Sequence, residues 1–183
     1  MAPPFKRLPE QAEDICKSVH APPRLQAHLI LVHDVACSLT AEFGISFPEA
    51  KFTTDDVLFG AATHDIGKAI CPEELVASRE SHTKKGFSLL KSLGIPERRA
   101  RFALTHRNWK DDTTVNIEDL LVALADKCWK GKRVSDLERL IVDEVVRLTG
   151  KDRWQVFLTL DGIIERLSAD ADERLAWQAT FPV

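Results

Sequence analysis

Ala61-Ala62-Thr63-His64-Asp65-Ile66-Gly67-Lys68 ends an apolar run that begins at Val57 and places an imidazole beside a carboxylate. Gly67 follows at once and can stop the helix that the run predicts. A carboxylate buried next to an imidazole is costly unless something pairs with both, and a metal ion does so well. Further candidate ligands lie on either side: His28 before the pair, then His82, His106 and Asp126 after it. The rest of the chain reads as helices able to bring these residues to one point.

Upstream of the pair, Thr53 or Thr54 suits an N-cap, with Asp55 and Asp56 at the positive end of the helix dipole. Before that, Arg24 to Phe43 carries Leu25, Leu29, Val32, Ala36 and Leu39 at helical spacing, with Gly44 as a terminator. His28 and His33 sit on opposite shoulders of that stripe, and the helical wheel does not choose between them. Pro9 to Val19 reads as a short first helix ended by Ala21-Pro22-Pro23.

Downstream, Pro72-Glu73-Glu74 opens a turn or short helix, and Ser78–Ser81 leads into a helix over His82–Leu93 stopped by Gly94. His82, Gly86, Leu89 and Leu93 share one face, which predicts an inward His82 and a close approach at Gly86. Pro96 fits the first position of a helix reaching His106-Arg107, and Asp111–Thr114 reads as a loop. Asn116 caps a helix through Lys130, apolar all round from Leu120 to Ala125, so Asp126 on it needs a partner. Ser135-Asp136-Leu137-Glu138 reads as a capping box opening a helix to Gly150, and a last helix starts near Asp152. These two carry no His and read as a cover. The expectation is an all-α single domain, 1–183, of about six to eight helices. Its metal-site core spans about 24–133 and its covering helices about 135–170.

Among the 183 residues, 44% are apolar and 29% charged, ordinary for a globular protein, and a net charge of −3 gives no basic field for a nucleic acid polymer. The four cysteines form no CxxC pair, which argues against a zinc cluster or disulfide framework. The N-terminus lacks the apolar segment of a signal peptide, and Leu120–Ala125 is too short to cross a bilayer. The expectation is a cytoplasmic protein with no membrane partner; composition leaves room for a homo-oligomer.

Four imidazoles and two carboxylates suit two divalent transition metals such as Fe, Mn, Co, Ni or Zn. Two such ions about 3.5–4 Å apart supply an activated water near neutral pH and take up charge on phosphoryl oxygens. No GxSxG elbow or Walker loop points to another chemistry. The set resembles the HD-domain superfamily of metal-dependent phosphohydrolases. The matching residues are His28 in Ala27-His28-Leu29, His64-Asp65 in Ala62–Lys68, His82 in Ser81-His82-Thr83, His106 in Leu104-Thr105-His106, and Asp126 in Leu124-Ala125-Asp126-Lys127. The resemblance covers roughly Arg24 to Arg133. It implies that His28, His64, Asp65 and Asp126 hold one metal and that His82 and His106 add a second, with Asp65 bridging. It also selects His28 over His33, because the family pattern of His, then Val four and Ala eight residues on, is met by His28, Val32 and Ala36.

The catalytic set expected is His64, Asp65 and Lys68. Lys68, Arg107, Lys110, Lys127, Lys130 and Arg133 lie close in sequence to the metal residues and could read substrate phosphates. Trp109 and Trp129 suit core packing better than base stacking, and His20 reads as exposed. The function expected is hydrolysis of a small phosphorylated metabolite, a nucleotide or dinucleotide. A mixed-valent di-iron oxygenase uses the same ligand set, and a non-catalytic metal- or nucleotide-binding module is the alternative of another class.

Overall fold

The computed structural model describes residues 5–71, 81–110 and 114–182. The expectations for Pro72–Glu74, for 78–80 and for 111–113 lie outside them. Ten α-helical segments and one 3₁₀ turn are present among the described residues, with no strand. They are α1 (Glu10–Ser18), α2 (Pro23–Ser46), α3 (Thr54–Thr63), the 3₁₀ turn Ile66–Ile70, α4 (Ser81–Ser92), α5 (Glu97–Ala100), α6 (Phe102–Asn108), α7 (Ile117–Cys128), α8 (Ser135–Thr149), α9 (Arg153–Ser168) and α10 (Ala171–Ala179). The fold is all-α, as the periodicity predicts.

α2 is the axis of the molecule. Its buried residues recur on nearly every side, from Leu25 through Phe43. By length and composition it would suit a membrane span, yet it is packed as a core helix and carries a buried imidazole at its second turn. Two apolar clusters surround it. The larger joins the C-terminal part of α2 to α7, α8 and α9; the smaller joins the start of α2 to α1 and α4. α2, α3 and α6 contribute to both clusters. Ion pairs and hydrogen bonds to two buried carboxylates lock the short helices in place. Arg98 and Arg99 donate to Asp56 at 2.7 and 2.6 Å, tying α5 to α3. Arg101 and Thr105 converge on fully buried Asp119 at 3.0 and 2.7 Å, tying α6 to α7.

Several boundaries differ from expectation. α2 runs through Gly44 to Ser46, because nothing near Gly44 forces a turn there. Pro96 is the N-cap of α5 rather than its first residue, and the helix expected to reach His106 breaks at Arg101 into α5 and α6. Val134, not Ser135, caps α8; Glu138 still reaches back to accept the Val134 N–H at 3.0 Å. α10 is an additional helix: of its residues only Ala171 and Arg174 are buried, too few to give an apolar stripe.

Candidate metal centre

α3 delivers its ligands by ending. Its apolar residues Val57, Phe59, Ala61 and Ala62 hold it in the core, and the chain leaves the helix at His64 and enters the 3₁₀ turn after Asp65. His64 is fully buried and Asp65 nearly so. The turn lies flush against α4: a Cβ on Gly67 would stand 2.0 Å from the His82 carbonyl oxygen and 2.7 Å from the Gly86 nitrogen. Only glycine fits there, and this contact brings His82, on the first turn of α4, to the His-Asp pair.

The two oxygens of Asp65 face different partners. Oδ2 lies 3.1 Å from His28 Nε2 and 3.7 Å from His64 Nε2. Oδ1 lies 3.1 Å from His82 Nε2 and 3.4 Å from His106 Nε2. Asp126 Oδ1 completes the first group, 3.7 Å from His28 Nε2 and 3.6 Å from His64 Nε2, which are themselves 3.2 Å apart. His28–His64–Asp65 and Asp65–His82–His106 thus form two buried clusters, each able to hold a metal ion, that share one carboxylate.

The imidazoles are set for ligation. His64 Nδ1 donates to the Ala61 carbonyl at 2.9 Å and His106 Nδ1 to the Phe102 carbonyl at 3.1 Å. A carbonyl can only accept, so in each neutral ring the Nε2 lone pair faces the centre. Burial pushes the pKa of His28 down and that of His106 down to about 4, which keeps both neutral. Burial alone would raise Asp65, but His64 beside it and contacts from His106, His28 and His82 outweigh this and hold it well below the usual carboxylate range. Burial likewise opposes ionisation of Asp126, and His64, Lys127 and Lys130 overcome it. Among the described residues, Asp65 Oδ1 is buried with no partner in hydrogen-bonding geometry, an arrangement that a cation would satisfy. The donor set, its protonation and this oxygen fit borderline divalent ions.

His33 is buried on the other shoulder of α2, its Nε2 3.7 Å from Cys37 Sγ, away from the centre. His20 is exposed.

A cleft of about 540 Å³ opens over the centre. Lys68, Arg107, Lys127 and Lys130 line it, with Trp109 and Trp129 as largely buried walls. Lys68 Nζ donates to Asp65 Oδ2 and Lys127 Nζ to Asp126 Oδ2, both at 2.5 Å. Trp129 packs edge-on to His28 with ring centroids 5.1 Å apart. Lys110 and Arg133 do not line the cleft. Lys110 pairs with Asp136 on the surface, and Arg133 grips Glu138 at 2.7 Å and Asp161 at 2.5 Å. Closeness in sequence to His106 and Asp126 does not place them, because carboxylates of α8 and α9 hold their side chains instead.

Arg24, Lys132 and Gln178 line the cleft as well. Arg24 had a legible signal, standing four residues before His28 on the same helix face. Gln178 had none, since it belongs to α10.

The chain matches the family model described as HD domain over residues 25–129, more than half its length. No solved structure matches it.

Proposed function

This chain belongs to the HD-domain family, whose members are in general metal-dependent hydrolases, and from that premise we propose that it hydrolyses a phosphate ester or anhydride of a small metabolite, a nucleotide or dinucleotide being the class that best suits the cleft. The observation that carries the reading is the shared carboxylate: Asp65 turns one oxygen to His28 and His64 and the other to His82 and His106. Two divalent ions bound there would supply an acidified water and neutralise charge on phosphoryl oxygens.

The chain's own groups do the rest. His28, His64 and Asp126 would hold one ion and His82 and His106 the other, with Asp65 able to serve both. Lys68 Nζ bonds Asp65 through one of its three N–H groups, leaving two to hold a phosphoryl oxygen at the mouth. Arg107 and Lys127 on the cleft wall add positive charge against the transition state, and Trp109 and Trp129 limit the water that reaches it.

The test is elemental analysis of protein purified without added metal or chelator, followed by a phosphate-release screen over nucleotides with an oxygen-uptake control. The expected result is two ions per chain, release of phosphate or nucleotide without oxygen consumption, and loss of both metal and turnover in His64→Ala. Near-normal metal content in His64→Ala, or oxygen uptake in place of hydrolysis, would overturn it.

A further inference from the structure

Building on the phosphohydrolase reading, we propose that the substrate carries a second phosphoryl group, bound about one helical turn outside the metal-facing residues by Arg24 and Lys130, with Lys132 and Gln178 beside them. Arg24 precedes His28 by four residues on α2, and Lys130 follows Asp126 by four just past the end of α7. Arg24 shares a helix face with His28, their Cβ atoms roughly 5–6 Å apart, and both Arg24 and Lys130 line the cleft.

The charge balance of the cleft points the same way. Among the described residues, six cationic side chains line it against two carboxylates, Asp65 and Asp126, which already face imidazoles. Lys68 and Lys127 are engaged by those carboxylates. Among the described residues, Arg24, Lys130 and Lys132 have no carboxylate within ion-pair distance; Lys130 is half-buried with its ammonium 5.5 Å over the Trp129 ring. Burial disfavours a charged Lys130, and the more distant Asp126 and Asp65 offset this only in part, so an ammonium held there favours an anion beside it. A substrate with one phosphoryl group at the metal end would leave these groups facing uncharged atoms. A chain of linked phosphoryl groups, or a sugar phosphorylated at two positions, would meet them.

The outer wall is also built to stay in place. The Arg24 N–H donates to the Pro182 carbonyl at 3.2 Å, so the segment after α10 docks on the first turn of α2, and Gln178 of α10 lines the same cleft. Arg24, Lys130, Lys132 and Gln178 all lie outside the residues that match the family model.

Calorimetric titration of the full-length protein with orthophosphate, inorganic tripolyphosphate and a hexose bisphosphate tests this, with metal content checked after each titration. Wild type should bind one of the two multiply charged probes about 10-fold or more tighter than orthophosphate. Arg24→Gln and Lys130→Gln should each remove about 10-fold from that probe and less than about 2-fold from orthophosphate. Arg24→Lys should recover part of the loss, and Lys110→Gln should change nothing beyond about 2-fold. The preferred probe distinguishes a phosphoanhydride chain from two separate esters. Equal losses for all three anions, or no preference in wild type, would overturn the subsite. If the variants bind tripolyphosphate and the hexose bisphosphate as tightly as wild type while wild type hydrolyses phosphate esters, only the subsite falls. If wild type shows the binding pattern but hydrolyses nothing, the hydrolase reading falls and the subsite stands.

Discussion

The two sides of Asp65 are held in place by different means. On the Oδ2 side, His28, His64 and Asp126 come from α2, from the end of α3 and from α7, elements buried in the apolar core along most of their length. On the Oδ1 side, His82 stands on the first turn of α4 and His106 in a seven-residue helix. α4 reaches the centre through a backbone contact at Gly67 and Gly86, and α6 through the Arg101–Asp119 ion pair and the hydrogen bond that the Thr105 hydroxyl donates to Asp119. The first half is a by-product of core packing, whereas the second depends on a few specific contacts. The halves should therefore fail separately, except at the carboxylate they share.

The largest effect should come from that carboxylate. Asp65→Asn keeps the shape and removes the charge facing four imidazoles. Both ions should be lost and turnover should fall by about 10³-fold or more, measured by elemental analysis and phosphate release. Retention of one ion would mean that the first half holds its metal without Asp65, and the two halves would be less coupled than their geometry implies.

Gly67→Ala separates the halves. Its methyl group would collide with the His82 carbonyl and the Gly86 backbone, neither of which can rotate aside. Moving α4 away should cost about 3 kcal/mol and remove the ion on the His82 side, leaving the one held by His28, His64 and Asp126. His82→Ala should lose the same ion with a much smaller fall in melting temperature. Two ions retained in Gly67→Ala would show that α4 follows the 3₁₀ turn as one body.

This asymmetry also governed what could be read from the sequence. The His-Asp pair was legible because an apolar run must be buried and carries its last residues inward. Asp126 was legible for the same reason on α7. His82 and Gly86 could be placed on one face, but the partner of that close approach, Gly67, became visible only when the turn and α4 were brought together. His28 and His33 were indistinguishable on the wheel, since α2 is buried on nearly every side and both imidazoles are buried; a family pattern, not periodicity, separated them. The cleft wall was the least legible part. Lys110 and Arg133 looked close in sequence yet face other carboxylates, while Gln178 came from a helix whose Leu175 is exposed and whose pattern gives no inward stripe.

The smallest expected effect concerns acid, and it tests whether the second half stays assembled without metal. In the metal-free protein His106 is held neutral by burial, its pKa lowered from 6.5 to about 4. Between those values the unfolded chain binds the proton that the folded chain refuses. The contribution is therefore fully present above about pH 6.5 and is lost as pH falls through the window, by about 2 kcal/mol at pH 5, or a fall of roughly 4–8 °C in melting temperature. His28 is shifted in the same direction from the other half. Asp65 and Asp126, ionised well below the ordinary carboxylate range, lose their contribution only at lower pH and do not mask the effect. Melting curves of chelator-treated protein at pH 7 and pH 5 should show the fall, and His106→Gln and His28→Gln should each reduce it. If His28→Gln alone flattens the slope, His106 already titrates as a solvated group. α6 would then have let its imidazole out to water, and the second half would be a site that forms only when metal arrives.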